Sequence, residues 1–367
     1  MAIQAQIFTQ NILDNFDLIQ KTIGTARLSP VVKADAYGLG ASVIVDVLDK
    51  ARKPDLYYVA TLEEALEIRS LTRADIAVFA GVQAGQEAEF VAQKITPVLK
   101  SPRDVELWAS ESDRLGRKLP CQIHLDTAIN RTGIQESDDS RVTAALQRFD
   151  IRYIFSHFVS SEERDNNLNQ TQSARFLSRT RQYEHAYGGA IQKSIANSSA
   201  VFNDTSSHLD MVRTGGGLWG IEMAIGQAPE IKAALTLRAT VLQVSEIKAG
   251  ETIGYNELFK ADKPYRIATL AMGYADGLHW PASNQAAFYW QGQRCQIAGS
   301  VSMDLTTVIL PHDLSYEDSP QAGDMMALVS TDQRIENLAK NCGARAYEMQ
   351  IALGGARRTE RQYIYAE

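Results

Sequence analysis

Only three cysteines occur in the 367 residues, Cys121, Cys295 and Cys342. They lie far apart and form no CxxC pair, which excludes a disulfide framework and a cysteine-based zinc site. The six histidines show no HExxH or HxH spacing, so a metal-free protein is expected. Positive charge is in deficit too. The formal net charge of −7 and the absence of a basic run argue against a nucleic-acid surface. The arginines that do cluster, Arg357, Arg358 and Arg361, and Arg179 with Arg181, read as solvated faces. No apolar stretch reaches the ~20 residues of a membrane span, so no membrane partner is expected. The opening MAIQAQIFTQNILDNF lacks the basic start and apolar core of a secretory signal. With no leader evident, a cytoplasmic location is expected.

What remains is an ordinary globular composition, 45% hydrophobic and 22% charged, in a chain long enough for about two domains. After a helical opening, with Ile12, Phe16, Ile19 and Ile23 on one face, short β-rich runs recur. One ends at Lys33; the others are 56–60, 76–80, 95–99, 121–125, 151–158, 191–197 and 209–213. Amphipathic segments lie between most of them: SVIVDVLDKA, TLEEALEIRSL, GQEAEFVAQ, SPRDVELWASESD and RVTAALQRF. Strand–helix alternation at this spacing is the pattern of parallel βα units, and eight of them make a (β/α)8 barrel. An open doubly wound sheet is the competing architecture, but the GxGxxG expected after its first strand is missing. From Leu235 the texture turns to long strand-like alternations broken by Gly, Pro, Asp and Asn, with one helix near TDQRIENLAKNCG. The expected organisation is an α/β fold: a (β/α)8 barrel over residues 1–233, followed by a mostly β C-terminal domain over residues 234–367.

Functional side chains of such a barrel come from the carboxyl ends of its strands. There the sequence has Lys33, Asp126 with Arg131 beyond it, His157, Asn197 with Ser198, and Arg213. Each has an ordinary alternative: a lysine snorkelling to solvent, a satisfied core histidine, a helix cap, a rim ion pair. Lys33 follows Val31 and Val32 where a strand should stop, with Gly38 and Gly40 relaxing the backbone before the next helix. The turn RTGGGLWG lets backbone N–H groups approach an anion. A lysine and a phosphate cradle at one barrel mouth suit pyridoxal phosphate, which needs an amine and a phosphate anchor.

Over essentially its whole length the chain resembles the alanine racemases, barrel-type pyridoxal-phosphate enzymes. VVKADAYGLG is similar to that family's cofactor-lysine signature. DTAINRTGI, SHFVSSEE, IANSSA, MVRTGGGLWG, IGYNELF, GYADG and GSVSMDLTT follow in the family's order. The resemblance implies that Lys33 carries pyridoxal 5'-phosphate as a Schiff base and is the base on the D face of the substrate. Tyr255 would be the opposite base. Tyr37, Ser198 and the backbone of Gly215 and Gly216 would bind the phosphate, and Arg213 would face the pyridine nitrogen, with His157 linking Arg213 to Tyr255. Arg131 would hold the phenolic oxygen and, with the Met303 amide, the substrate carboxylate; Tyr274 would narrow the entrance. It also implies a homodimer in which Tyr255, Tyr274 and Met303 serve the partner's cofactor.

Two-base racemisation needs acid–base groups on opposite faces of the α-carbon. A free tyrosine, with pKa about 10, needs nearby positive charge to act as a base. An arginine at the ring nitrogen stays charged and should keep that nitrogen unprotonated, which fits a racemase better than a transaminase or decarboxylase. Without the resemblance, Tyr255 reads as a surface turn residue, GYADG as a plain β-turn and Met303 as core packing. The chain also departs from the family. His124 stands where some members carry a carbamylated lysine, Ala128 where glycine is usual, Ser302 for a cysteine, Trp219 for a tyrosine, and Gly355 where a second entrance tyrosine is expected. A reshaped entrance admits, as alternatives to alanine, a racemase of serine or of a broad range of amino acids. A non-catalytic cofactor-binding protein is the alternative from another class; it has no need of a second base.

Overall fold

The computed structural model describes residues 3–223 and 231–365. Eight parallel strands match the eight runs of the sequence: β2 (Arg27–Pro30), β3 (Leu56–Val59), β4 (Asp75–Val78), β5 (Ile95–Leu99), β6 (Leu119–His124), β7 (Phe149–Phe155), β8 (Gln192–Ser194) and β9 (Met211–Thr214). Strands β3 to β8 pair in sequence order as one curved parallel sheet, and β2 pairs with β9 as a second. Backbone bonds cross both seams: Val32 N–H to Tyr58 O at 2.8 Å at one, and Asp210 N–H to Lys193 O at 3.2 Å with Arg213 N–H to Ala196 O at 3.1 Å at the other. These strands are short and buried on both faces, as parallel strands under crossover helices must be.

Four of the five amphipathic segments form helices: Ala41–Ala51, Leu62–Arg69, Glu87–Ala92 and Pro102–Leu115. Thr61 and Ser101 cap two of them by accepting from the N–H three residues on. The fifth, RVTAALQRF, is broken into the short helix Asp139–Thr143 and a 3-10 turn, Leu146–Arg148. The longest helix, Asn167–Tyr187, has no apolar stripe to announce it. Its buried face includes Gln172, Arg179 and Thr180 beside Phe176 and Tyr183.

The first strand, β1 (Ile3–Phe8), precedes the helical opening and belongs to a different sheet. It pairs antiparallel with β10 (Leu235–Ile247) and parallel with β18 (Thr359–Ile364). Around them the mostly β unit adds β11 (Thr252–Ile253), β12 (Phe259–Lys260), β13 (Tyr265–Leu270), β14 (Ala287–Trp290), β15 (Gln293–Gln296), β16 (Thr306–Ile309) and β17 (Met325–Val329). All but the β11–β12 hairpin join one eight-stranded sheet. The helix expected near TDQRIENLAKNCG is Ile335–Asn341, and a second, Ala346–Gly354, follows it. The N-terminal strand and the C-terminal strand thus lie side by side, and β18 runs directly from that last helix past the Lys33 segment. Among the described residues no helix is long and apolar enough to cross a membrane. The three cysteines are buried and unpaired.

The arginine clusters are only partly solvated faces: Arg181, Arg357 and Arg358 are exposed, but Arg179 is buried against Asp139, and Arg358 and Arg361 are ion-paired to Asp276 and Asp35. Their carboxylate partners come from distant parts of the chain, and two of them, Asp139 and Asp276, are buried.

Candidate active site

Lys33 opens a turn that few sequences tolerate. The residues after it, Ala34, Asp35, Ala36 and Tyr37, all have φ between 52 and 56°, one turn of left-handed helix made without glycine. Each such residue costs about 1–2 kcal/mol through Cβ–carbonyl crowding, so the surroundings must impose the turn. Glu64 accepts from Ala34 N–H at 2.8 Å and from Ala60 N–H at 2.6 Å, which ties the turn to the end of β3. Asp35 accepts from Ala41 N–H at 2.6 Å and pairs with Arg361 at 2.6 Å. Tyr363 donates to Leu39 O at 3.0 Å. The helix Ala346–Gly354 approaches so closely that a Cβ on Gly38 would lie 2.8 Å from Gln350 O, and one on Gly354 2.6 Å from Gly38 O. Strain concentrated and held this way is a mark of functional backbone. The sequence suggested that Gly38 and Gly40 relax the chain here; the reversal is carried mainly by the four residues before them.

The Lys33 ammonium stands 5.9 Å from the centre of the Phe79 ring. Burial, and then the charge of Arg131, pull its pKa below the ordinary lysine value against a smaller opposing effect of Glu64. Both causes favour the neutral amine, the form that attacks carbonyls and accepts protons.

The proposed phosphate residues come together. Ser198 begins the short helix Ser198–Asn203, capped by Asn197, and its Oγ accepts from Gly215 N–H at 3.0 Å. The Tyr37 hydroxyl lies over Gly215, where a Cβ would fall 2.4 Å from it, and a Cβ on Gly216 would meet Met223 Sδ at 2.8 Å. The two glycines therefore let the Tyr37 hydroxyl and the Met223 side chain come closer to the backbone than any Cβ would allow. Burial raises the Tyr37 phenol to about 12, so it stays a hydrogen-bond donor. Tyr347, on the helix Ala346–Gly354, is close enough to add to that shift; its only sequence signal would have been a helix that the local pattern does not announce.

Arg213 is buried and fully engaged on its inner side. One nitrogen donates to Ser194 Oγ, another to Ser156 O at 2.6 Å and Ile195 O at 3.5 Å. The guanidinium lies 4.5 Å from the centre of the Phe155 ring. Desolvation lowers its pKa to about 10, which leaves it charged at neutral pH. His157 is held by its carbonyl, which accepts from Gln172 at 3.0 Å, while Gln172 Oε1 receives Val159 N–H at 2.9 Å. Burial, followed by the charges of Arg213 and Arg131, pushes its imidazole well below the usual histidine range.

His124 stacks on Phe155 at 4.8 Å and 11°. Desolvation first, then Arg213, lower its pKa to about 3, so it is neutral. Arg131 sits exposed in the loop after β6. Asp126 shapes that loop by accepting from Ala128 N–H at 2.9 Å, Asn130 N–H at 3.2 Å and Gln135 Nε2 at 2.9 Å. Arg179 holds its two ends, donating to Asp126 O at 2.6 Å and Ile134 O at 3.0 Å. Gln172 and Arg179 are the positioning residues that sequence reasoning missed, because both lie on the helix without a stripe.

None of the hydrogen bonds or ring contacts described for this cluster reaches Tyr255, Tyr274 or Met303. The hydrogen bonds and ring contacts of Lys33, His157 and Arg213 involve first-unit residues. The three second-unit side chains are 70%, 45% and 54% exposed. Tyr274 and Met303 are joined to each other: Tyr274 N–H donates to Ser302 O and Ala275 N–H to Met303 O, both at 3.0 Å.

The model of the alanine racemase N-terminal domain matches residues 7–223, and that of the C-terminal domain matches residues 234–363. An alanine racemase of Brucella abortus (strain 2308) is 34% identical over 369 residues, spanning 96% of this chain and 91% of its own. One of Acidiphilium cryptum is 35% identical over 336 residues, 90% of each. Among solved structures, the alanine racemase of Bartonella henselae with covalently bound pyridoxal phosphate superposes with a TM-score of 0.92 at 28% identity, covering 99% of this chain and 100% of that one. The biosynthetic alanine racemase of Pseudomonas aeruginosa gives 0.87 at 28% identity, covering 99% of each. With both family domains matched in order across nearly the whole sequence, the chain belongs to the alanine racemase family.

Proposed function

We propose that this protein interconverts L- and D-alanine with pyridoxal 5'-phosphate as cofactor, Lys33 and Tyr255 being the acid–base groups on opposite faces of the α-carbon. The proposal is supported by the Lys33 turn, which sets a partly buried amine in a neutral-favouring environment on the same short segment as Tyr37, whose hydroxyl lies over Gly215, the residue that Ser198 also binds. The residues that would hold the cofactor are Lys33 through its amine, Tyr37, Ser198, Gly215 and Gly216 at the phosphate, and Arg213 at the ring. When bound, the cofactor supplies the electron sink that makes the α-proton removable. Lys33 takes or returns that proton on one face, and its lowered pKa raises the fraction able to accept it. Arg213 remains a charged donor at neutral pH, which limits how far the cofactor withdraws electrons and keeps the chemistry to proton exchange. His157, neutral, can accept on one nitrogen and donate on the other, as a link from Arg213 to Tyr255 requires. Arg131 and the Met303 amide would take the substrate carboxylate, and Tyr274 would narrow the way in.

The proposal has a quaternary part. Tyr255, Tyr274 and Met303 are exposed together with Leu258, Trp280 and Leu305, an apolar set suited to a second copy. In a homodimer these residues would complete the partner's site. Its tertiary part is that the seam bonds at Val32, Asp210 and Arg213 join the parallel sheets into an eight-stranded ring. A cytoplasmic location is retained as part of the same reading.

The test is racemisation of L-alanine by the purified, cofactor-loaded protein, beside Tyr255→Phe and a panel of other L-amino acids. Conversion of alanine above all others, abolished in Tyr255→Phe, supports the reaction, the substrate and the role of Tyr255. Faster conversion of serine or of many amino acids replaces the substrate and keeps the reaction. Cofactor held on Lys33 with no turnover of any amino acid sinks the enzyme reading in favour of a cofactor carrier.

A further inference from the structure

The arginine cluster near the C terminus has a role that a solvated face would not have. Arg358 stands just before β18 and reaches two carboxylates from different loops. Its Nε meets Asp276 Oδ1 at 2.6 Å and its Nη2 meets Asp276 Oδ2 at 2.9 Å, a two-pronged contact. Its Nη1 donates to Asp304 Oδ1 at 2.7 Å. Asp276 is 1% exposed, and its Oδ2 also receives Gly273 N–H at 3.0 Å, which closes the GYADG turn on itself. A buried carboxylate that shapes a turn needs its countercharge, and only a guanidinium offers three N–H groups in a fixed plane for two acids.

What the two loops carry gives the contact its meaning. Asp276 lies two residues after Tyr274, and Asp304 directly follows Met303. The loops touch through Tyr274 N–H to Ser302 O and Ala275 N–H to Met303 O. Arg358 bridges them from outside that contact, so it fixes both their spacing and their relative tilt. We propose that Arg358 is a positioning residue for substrate capture: by clamping Asp276 to Asp304 it sets where the Met303 amide and the Tyr274 ring stand at the entrance. The proposal rests on the roles given above to Met303 and Tyr274. Arg358 touches neither substrate nor cofactor in this account and acts only through the two loops.

The clamp is tested in the cofactor-loaded protein with Arg358→Ala, Arg358→Lys and Asp304→Asn. A backbone amide that grips the substrate carboxylate grips it equally before and during proton transfer, so its displacement acts on KM more than on kcat. Misplacement of a positioning group by about 1 Å can cost on the order of a hundredfold. For Arg358→Ala the expected result is a KM for L-alanine raised by about tenfold or more, with a smaller fall in kcat. The absorption band of the Lys33-bound cofactor and the oligomeric mass stay as in the parent. Arg358→Lys keeps the Asp276 charge pair and loses the Asp304 contact. Asp304→Asn weakens that same contact from the other side, and the two should share an intermediate rise in KM. A KM unchanged within about twofold in Arg358→Ala, with band and mass intact, overturns the clamp. If Arg358→Ala fails to fold, an unchanged KM in Asp304→Asn overturns it instead. Amide hydrogen exchange of residues 273–276 and 302–305 judges the clamp without activity. Faster exchange there in the variant supports it, and equal exchange overturns it. A parent protein that racemises nothing refutes the functional reading, and the exchange result still decides the clamp.

Discussion

Burial of His124 makes the stability of this protein acid-sensitive by a calculable amount. In the folded chain its imidazole is neutral, with a pKa lowered from 6.5 to about 3, first by desolvation and then by Arg213. In the unfolded chain it regains the ordinary value. Between those two limits the unfolded state binds a proton that the folded state refuses, so acid favours unfolding. The contribution is intact above pH 6.5 and is lost progressively as the pH falls toward 3. At pH 5 the gap is 1.5 pH units, and at 1.36 kcal/mol per unit the loss is about 2 kcal/mol. His124→Phe keeps a ring stacked on Phe155 and removes the titrating nitrogens. Any packing cost of the larger ring is the same at both pH values and cancels. Urea unfolding of parent and variant at pH 7 and pH 5 should show the parent losing about 2 kcal/mol more than the variant over that interval. His157, whose pKa is lowered in the same direction, is present in both proteins and does not enter the difference. Parallel losses in the two proteins would refute the claim that His124 is held neutral.

Other substitutions probe the backbone and the cradle. Ala128 has φ of 134°, a conformation that favours glycine; Ala128→Gly should raise the unfolding free energy by roughly 1 kcal/mol, read from the urea midpoint, and a lower midpoint would contradict the strain. Arg179→Ala strands the buried Asp139 carboxylate and should cost about 3–5 kcal/mol by the same assay. It also removes the donors to Asp126 O and Ile134 O, so faster hydrogen exchange across residues 126–134 is expected, and a protected loop would show that Arg179 does not hold it. Ser198→Ala deprives Gly215 N–H of its acceptor and should weaken cofactor binding about tenfold in an absorbance titration of the apoprotein, near the worth of one hydrogen bond; undiminished affinity would remove Ser198 from the phosphate site.

The parts of this molecule that are legible in its sequence are those governed by local pattern. Each parallel strand is a short β-rich run between amphipathic helices, so all eight can be counted from the residues alone. Lys33 is legible because it follows two valines at a strand end. The unread parts depend on partners far along the chain. β1 pairs with residues 235–239 and 359–364, and no window around Ile3 can show that. The helix Asn167–Tyr187 buries Gln172 and Arg179 against loops rather than an apolar stripe against a sheet, so its periodicity carries no hydrophobic signal. Arg358 and Arg361 read as solvent charges because Asp276, Asp304 and Asp35 are 54 to 326 residues away.

The same long-range pairing explains how one chain can shape two sites. The segment that leaves the helix Ala346–Gly354 presents Arg358 to the Tyr274 and Met303 loops and, three residues later, Arg361 to the Lys33 turn. Strand β18 anchors that segment by pairing with β1, at the other end of the sequence. A rigid strand between the two arginines means that the Lys33 turn and the Tyr274–Met303 pair cannot shift independently. In a homodimer built as proposed, those two ends belong to different active sites. The geometry at one cofactor would then be tied through β18 to the entrance of the other. This is why Arg358 and Arg361, which are given no contact with a reacting atom, are expected to be among the positions least tolerant of charge reversal.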